Sequence, residues 1–115
     1  MVSYSQHNIS QDDIDAIVEV MRSKSLTQGQ KLPEFEEALA RKTNAKYSVA
    51  VNSATSALHL SCISLGLGPN DILWTCPISF VASSNCGLYC GAKVDFVDID
   101  ILTGLMSISN LESKL

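Results

Sequence analysis

The 115-residue sequence predicts an α/β fold built on a parallel sheet, and two observations support this prediction. Short apolar segments alternate with segments of helical periodicity, and strands joined by single helices pair in parallel. The apolar segments are nearly continuous in hydrophobic residues, as in strands that are covered on both faces. The length is that of one domain.

The composition excludes several classes of protein. Hydrophobic residues make up 46% of the chain and charged residues only 17%, which is not the composition of a disordered chain. The net charge is −4, and there is no basic run that would bind nucleic acid. The apolar stretches are far shorter than the roughly 20 residues that span a bilayer. The first ten residues do not resemble a secretory signal, which predicts a cytoplasmic protein.

Two amphipathic helices are predicted before the first strand. The first spans residues 10–23, where Ser10 is a candidate N-cap and Asp13 stands three residues after it. The second spans residues 33–44, beginning at a proline and ending at an asparagine, with glutamates near its start. A loop around Gly29 is predicted between them.

Strands and helices alternate through the rest of the chain. The predicted elements are a strand at 47–51, a helix at 54–65, a strand at 72–76, a helix at 79–89, a strand at 94–97 and a helix from about Asn110. The helix at 79–89 is rich in small residues, which predicts close packing against the sheet. The last helix has capping-box spacing between Ser109 and Glu112 but few residues after it, and a three-stranded sheet has open edges. The sequence therefore resembles the opening section of a longer protein.

The cysteines predict buried thiols. Cys62, Cys76, Cys86 and Cys90 all lie in apolar segments. Zinc binding is the weaker alternative, because the chain has no CxxC pair and no histidine stands near Cys86 and Cys90.

A polar turn after the first predicted strand is the strongest candidate for a binding site. Residues 52–56, Asn-Ser-Ala-Thr-Ser, stand where a helix begins. The N–H groups of Ala54, Thr55 and Ser56 and the helix dipole would favour an anion there. The alternative is ordinary N-capping by Ser53. No glycine-rich dinucleotide or P-loop motif is present, which argues against a general nucleotide-binding domain with another cofactor.

Two further segments are expected at the same edge, because ligands bind beyond the carboxyl ends of parallel strands. Phe80 follows the second strand, where a ring can stack on a flat heterocycle, although the residue type alone favours the core. Asp98 and Asp100 follow the third strand and either face a ligand or cap a turn. His59 is expected to be structural.

The motifs LTQG, FEEALA, NSATSALHL, PISFVASSN and CGAKVDFVDID resemble those of the DegT/DnrJ/EryC1/StrS sugar aminotransferases, and within them the branch of pseudaminic acid synthesis. The resemblance implies the three-layer α/β/α fold, with a mostly parallel sheet, of the aspartate aminotransferase-like PLP-dependent transferases, present here only in part. It also implies two segments. Residues 1–31 would be an N-terminal helix and substrate loop, and residues 32–115 the N-terminal part of the cofactor-binding large domain, truncated at its C-terminus.

The resemblance further implies roles for individual residues. Residues 54–56 match the turn that holds the phosphate of the cofactor, pyridoxal 5′-phosphate (PLP), and Phe80 matches the aromatic residue stacked on its ring. Thr27, Gln28 and Gly29 match a loop near the sugar site. From the cysteine spacing described above, we expect no metal ligand in the chain.

The resemblance also implies a reaction. Members of the family transfer an amino group from an amino acid, usually glutamate, to a keto carbon of a nucleotide-linked sugar, and they act as homodimers. The chemistry needs a lysine that forms a Schiff base and a carboxylate beside the pyridinium nitrogen. Neither group matches a position of this chain, so we expect no catalytic residue in it and no activity from it alone. The alternative is a non-catalytic phosphate-binding or assembly module derived from the same fold.

Overall fold

A computed structural model describes residues 5–115, so the first four residues of the predicted N-terminal segment lie outside the described part. The chain divides into two compact units, the first ending at Ala50 and the second beginning at Val51. Its elements are, in order, α1 (Gln11–Arg22), α2 (Lys31–Thr43), α3 (Ala54–Ser64), β1 (Ile72–Thr75), α4 (Ala82–Tyr89), β2 (Lys93–Phe96) and α5 (Ile108–Glu112). None of the helices within residues 5–115 has the length and apolar character needed to cross a bilayer.

Helix α1 begins at the predicted capping box. The Ser10 Oγ accepts a hydrogen bond from the Asp13 N–H at 3.2 Å, and the Asp13 carboxylate accepts one from the Ser10 N–H at 2.8 Å. The Ser10 N–H, and after it the Ser10 hydroxyl, hold the pKa of Asp13 below its usual value. None of the residues of α1 is buried against the rest of the described chain, and Met21 on its apolar face is 65% exposed.

Helix α2 begins at Lys31, two residues before the predicted start at Pro33. The prediction was wrong because proline is tolerated throughout the first turn, where the N–H groups have no acceptor in the helix. The predicted end is confirmed, since Asn44 is the C-cap and has the left-handed conformation, with φ 54° and ψ 32°.

The first predicted strand, at 47–51, is not a strand in the structure. Its backbone has no ladder partner within residues 5–115, and the Ala50 N–H donates instead to the Glu36 Oε1 at 2.7 Å. The side chains of Tyr47 and Val49 are 77% and 75% exposed. The prediction failed because an apolar run specifies a strand only where a neighbouring strand completes the hydrogen bonds.

The sheet in the described residues has two parallel strands, not the predicted three. β1 pairs with β2 from Ile72 opposite Lys93 to Thr75 opposite Phe96. The predicted parallel α/β architecture is confirmed, and the strand count differs because the segment at 47–51 is unpaired. Val97, directly after β2, is fully buried at 0% exposure and marks the core of the second unit.

Helix α4 lies against both strands, which confirms the predicted close packing of its small residues. A Cβ built on Gly87 would lie 2.9 Å from Leu73 Cδ2 in β1 and 3.2 Å from Val94 Cγ2 in β2. The helix begins at Ala82 and not at residue 79. The residues before it form a turn, in which the Ser83 N–H donates to the Phe80 carbonyl three positions earlier.

Helix α5 begins two residues earlier than its predicted capping box. The N-cap is Ser107, whose Oγ accepts from the Asn110 N–H at 3.2 Å. Ser107 and Ser109 each have a polar residue three positions later, Asn110 and Glu112. Spacing alone does not distinguish the two serines, and the prediction of Ser109 as the N-cap was wrong. Beyond the helix, the Lys114 Nζ lies 2.7 Å from the Asp95 Oδ2 of β2, and this contact is the main reason that the pKa of Asp95 is lowered.

Candidate functional site

The polar turn at 52–56 forms the N-terminus of α3, and the capping role of Ser53 is confirmed. Ser53 is extended, and its Oγ accepts from the Ser56 N–H at 3.2 Å. The Ser56 N–H therefore has an acceptor within the turn itself.

Two other N–H groups of the same turn remain free. The N–H groups of Ala54 and Thr55 have no acceptor within residues 5–115, and neither does the Thr55 hydroxyl. Ala54 is exposed and Thr55 is half-buried. Free N–H groups at the positive end of a helix are donors for an anion. Capping and anion binding therefore use different donors of one turn and are compatible.

The Ser56 hydroxyl is already engaged as a donor within the turn. Its Oγ donates to the Asn52 Oδ1 at 2.6 Å and lies 3.1 Å from the Ser53 Oγ. A hydroxyl has one proton, so Ser56 donates to an anion only if it gives up the bond to Asn52. Asn52 is a further residue that shapes this turn, and its spacing of four residues from Ser56 is the sequence signal that indicates the bond.

Phe80 lies at the surface, near the carboxyl end of β1. Its side chain is 75% exposed, so the assignment to the core that its residue type alone favoured is wrong for the described chain. Phe80 lines a cavity of about 250 Å³ together with Thr75, which ends β1, and Phe96, which ends β2. The cavity therefore lies at the carboxyl ends of both strands, the edge where α/β sheets bind ligands.

The wall of this cavity combines apolar and hydroxyl groups. The Ser79 and Ser83 hydroxyl oxygens lie 3.0 Å apart, and the Ser84 hydroxyl donates to the Val81 carbonyl at 2.9 Å. Among the described residues that line the cavity, none is charged. An exposed aromatic ring beside an uncharged, partly polar cavity suits a flat heterocycle.

The loop between α1 and α2 borders a cavity of about 510 Å³ in the first unit. Gln28 and Gly29 line it, and Thr27 does not. Gln28 has a φ of 51°, which is uncommon for a residue with a side chain. A Cβ on Gly29 would lie 2.7 Å from the Ser25 carbonyl oxygen. The shape of the loop thus depends on having glycine at position 29.

The charges around this larger cavity do not favour a phosphate. Two carboxylates, Glu19 and Glu34, line it with a single cation, Lys31. The Lys31 Nζ lies 3.1 Å from the Glu34 Oε2, and the pKa of Lys31 is raised mainly by Glu34 and further by Glu19. The remaining negative charge suits a neutral ligand group, such as a sugar hydroxyl or amide.

The two aspartates after β2 cap backbone groups. The Asp100 Oδ1 accepts from the N–H groups of Leu102 and Thr103 at 3.0 and 2.9 Å. Hydrogen bonding from the Thr103 N–H is the main cause of the lowered pKa of Asp100. The Asp98 Oδ1 accepts from the Ile99 N–H at 2.8 Å. Of the two roles predicted for these residues, turn capping is the one that the structure shows for Asp100.

His59 and the cysteines have structural surroundings. The His59 ring packs edge-on against the Tyr89 ring at 5.3 Å. Cys62 and Cys86 are buried as predicted, whereas the other two cysteines, beyond the ends of β1 and α4, are only partly covered. Burial raises the pKa of Cys62 to about 11, so its thiol is protonated at neutral pH. Within residues 5–115, no three His, Cys, Asp or Glu side chains come together as metal ligands.

Sequence comparison places these features in a known family. The profile of the DegT/DnrJ/EryC1/StrS aminotransferase family matches residues 7–115. Over 115 residues the chain is 46% identical to a UDP-4-amino-4,6-dideoxy-N-acetyl-beta-L-altrosamine transaminase of Campylobacter jejuni, covering all of this chain and 30% of that protein. It is 40% identical to a UDP-4-amino-4-deoxy-L-arabinose–oxoglutarate aminotransferase of Shewanella sediminis, over 80% of this chain and 24% of the relative. The chain thus spans less than a third of the length of these relatives.

Solved structures confirm the predicted fold class. The Helicobacter pylori aminotransferase involved in the biosynthesis of pseudoaminic acid superposes with a TM-score of 0.89 at 36% identity, over 98% of this chain and 31% of that one. A Streptococcus pneumoniae protein assigned as a sugar aminotransferase gives a TM-score of 0.92 at 32% identity, over 99% of this chain and 29% of that one. The latter protein has been solved in a PLP form and in a form with pyridoxamine phosphate.

Proposed function

The chain belongs to the DegT/DnrJ/EryC1/StrS aminotransferase family, and we propose that it supplies the cofactor-binding part of a nucleotide-sugar aminotransferase. The reaction moves an amino group from an amino acid, for which we propose glutamate, to a keto carbon of a nucleotide-linked sugar. The sugar serves the synthesis of cell-surface polysaccharides or glycans. The observation that carries this proposal is the pair of free N–H groups of Ala54 and Thr55 at the start of α3, in a family of PLP-dependent enzymes.

The residues present fit both ends of PLP. The N–H groups of Ala54 and Thr55 and the Thr55 hydroxyl would hold the phosphate, and Ser56 would join them if its bond to Asn52 opens. Phe80 would stack on the pyridine ring from its exposed position beside an uncharged cavity. When bound, PLP supplies the carbonyl chemistry by which an amino group is taken up and passed on.

We propose that Thr27, Gln28 and Gly29 form the contact with the sugar. The excess negative charge around the cavity lined by Gln28 and Gly29 supports contact with sugar hydroxyl or amide groups and not with a diphosphate. Residues 1–31 would then form the N-terminal helix and substrate segment, and residues 32–115 the first part of the PLP-binding large domain. The 46% identity to transaminases named for a UDP-linked 4-amino-4,6-dideoxy sugar supports a sugar of that class.

We propose that the full-length protein is a homodimer in the cytoplasm. Large apolar side chains such as Met21, Phe35 and Ile63 are 53–65% exposed in the described chain, which supports cover by further chain or by a second subunit. The four cysteines are free thiols, as in a reducing compartment.

The 115-residue chain alone is expected to catalyse no transamination. A lysine that forms a Schiff base near neutral pH needs a pKa lowered by burial or by a nearby cation. All six lysines are exposed, and the pKa of Lys31 is raised. The measurement is 2-oxoglutarate formation from glutamate, with PLP and a UDP-linked keto sugar present. Turnover above that of PLP without protein would contradict the prediction.

Phe80→Ala is expected to weaken contact with the ring of the cofactor and to leave contact with its phosphate unchanged. The substitution should weaken binding of pyridoxamine 5′-phosphate by roughly fivefold, since stacking contributes about 1 kcal/mol, and leave binding of inorganic phosphate unchanged. Pyridoxamine phosphate is used because it has no aldehyde to react with exposed lysines. Calorimetric titration with both ligands measures the difference.

A matched control is available in the first unit. Phe35 is 57% exposed on α2, so Phe35→Ala removes a comparably exposed ring and should change neither affinity. If Phe80→Ala lowers the affinity for both ligands equally, Phe80 has a structural role. If the affinity for pyridoxamine phosphate does not change, Phe80 does not contact the cofactor.

A further inference from the structure

We propose that Asn52 is a positioning residue that sets which hydroxyl groups of the turn at 52–56 donate to an anion, an inference that rests on the proposed function. The Asn52 Oδ1 accepts the proton of the Ser56 hydroxyl at 2.6 Å. Both residues lie in the second compact unit, and the contact between them is direct. In this role Asn52 acts through Ser56 and does not contact the ligand.

A second serine joins the same chain of hydrogen bonds. The Ser53 and Ser56 hydroxyl oxygens lie 3.1 Å apart, and either of them could donate to the other. Because Ser56 has one hydroxyl proton and gives it to Asn52, the proton between the two serines belongs to Ser53. The donors therefore run from Ser53 to Ser56 and from Ser56 to Asn52. The Asn52 oxygen ends this chain and fixes the direction of both hydroxyls.

This direction leaves one hydroxyl of the turn for a ligand. Ser53 keeps its lone pairs for the N-cap bond, in which its Oγ accepts the Ser56 N–H at 3.2 Å. The hydroxyl protons of Ser53 and Ser56 thus have acceptors inside the turn, whereas the Thr55 hydroxyl has no partner within residues 5–115. Asn52 therefore leaves Thr55 as the hydroxyl donor beside the free N–H groups of Ala54 and Thr55.

The bond to Asn52 also limits how tightly the turn holds an anion. A phosphate oxygen that recruits the half-buried Ser56 hydroxyl gains a charge-assisted hydrogen bond, but the bond to Asn52 must break first. The net gain is reduced by the contribution of the bond that is lost. Removing the Asn52 acceptor is therefore expected to strengthen phosphate binding, whereas removing a residue that only supports the shape of the turn would weaken it.

Substitutions in the ¹⁵N-labelled 115-residue chain test this role. Asn52→Leu keeps the size of the side chain and removes the acceptor, and Asn52→Ala removes the acceptor with a smaller side chain. Ser56→Ala removes the hydroxyl, alone and combined with each Asn52 variant. Asn70→Leu is the matched control, because Asn70 is also exposed and its side chain has no hydrogen-bond partner among the described residues. Inorganic phosphate is titrated into each variant, the amide signals of Ala54 and Thr55 report binding, and urea unfolding reports stability.

We expect Asn52→Leu and Asn52→Ala to strengthen phosphate binding about three- to tenfold, the net contribution of the one intramolecular hydrogen bond that the anion no longer has to break. Ser56→Ala alone should change the affinity by less than about twofold, because the Ser56 proton is already given to Asn52. Combined with either Asn52 variant, Ser56→Ala should return the affinity to the parent value. Asn70→Leu should leave the affinity unchanged.

The outcomes separate this proposal from the proposed function. If the parent chain binds phosphate and the Asn52 variants bind it equally or more weakly, the role of Asn52 is overturned and the anion site stands. If the tighter binding of Asn52→Leu persists without the Ser56 hydroxyl, the gain does not come through Ser56 and the proposal is also overturned. If neither the parent nor the Asn52 variants respond at Ala54 and Thr55, the anion site is overturned and the role of Asn52 falls with it. If Asn52→Leu does not fold, Asn52→Ala decides by the same criteria.

Discussion

Ala54→Pro is expected to weaken the binding of inorganic phosphate by about tenfold or more while leaving the chain as stable as before, because it removes one donor that only the anion uses. Ala54 is the first residue of α3, where proline is well tolerated and the missing N–H is not needed by the helix. Ser53 before it is extended, with ψ 158°, as a residue that precedes proline prefers. The substitution therefore changes the donor set and not the fold.

The control repeats the same change at a helix start that has no proposed ligand. Gln11 is the first residue of α1 and follows Ser10, which is also extended, with ψ 169°. Gln11→Pro should leave phosphate affinity unchanged, and both variants should unfold in urea within about 0.5 kcal/mol of the parent. Phosphate binding is followed by the amide signals of Thr55 and Ser56. Parent affinity in Ala54→Pro would show that the Ala54 N–H does not contact the anion.

Features set by neighbours in the chain could be predicted from the sequence. The capping box of Ser10 and Asp13, the N-cap Ser53 and the left-handed Asn44 all depend on residues within four positions of one another. The free N–H groups of Ala54 and Thr55 were predictable for the same reason, since they are consecutive backbone groups at one helix start. Local hydrogen-bonding geometry fixes such features before any tertiary contact forms.

Features set by distant residues were missed or misassigned. The prediction of a strand at 47–51 was wrong because an apolar pattern does not show whether a neighbouring strand is present to pair with it. Residue type placed Phe80 in the core, yet its ring is 75% exposed. The bond from Glu36 to Ala50 spans 14 positions, and Glu36 looks no different in sequence from the glutamate beside it. The preference of the Ser56 hydroxyl for Asn52 was also invisible until side-chain directions were known.

The sequence did indicate the packing of α4, and Gly87 provides its strongest test. Gly87→Ala is expected to destabilise the chain by about 2 kcal/mol, although alanine favours a helix by about 1 kcal/mol over glycine. The new Cβ would lie 2.9 Å from Leu73 Cδ2, 3.1 Å from Leu73 Cβ and 3.2 Å from Val94 Cγ2. The leucine Cδ2 can rotate away, but its Cβ is fixed to the backbone of β1. The helix must therefore move away from the sheet.

Urea unfolding measures the stability change, and Gly68→Ala is its control. A Cβ at Gly68 would lie 4.0 Å from its nearest neighbour, the Gly66 carbonyl oxygen, so that substitution should cost no more than about 0.5 kcal/mol. Combining Gly87→Ala with Leu73→Ala removes the closest contact, and the two changes should cost less together than the sum of their separate effects. If the two changes in the free energy of unfolding simply add, or if Gly87→Ala is more stable than the parent, helix propensity outweighs the close approach.

The displacement of α4 should also affect ligand binding selectively. Ser83 and Ser84 belong to α4 and line the cavity beside Phe80, whereas the N–H groups of Ala54 and Thr55 belong to α3. Moving α4 outward therefore alters the wall that would meet the cofactor ring more than the turn that would meet its phosphate. Gly87→Ala should weaken the binding of pyridoxamine 5′-phosphate more than the binding of inorganic phosphate. Both affinities are measured without denaturant, where the variant is still folded. Equal weakening of both ligands would mean that the packing of α4 also sets the geometry of the α3 turn.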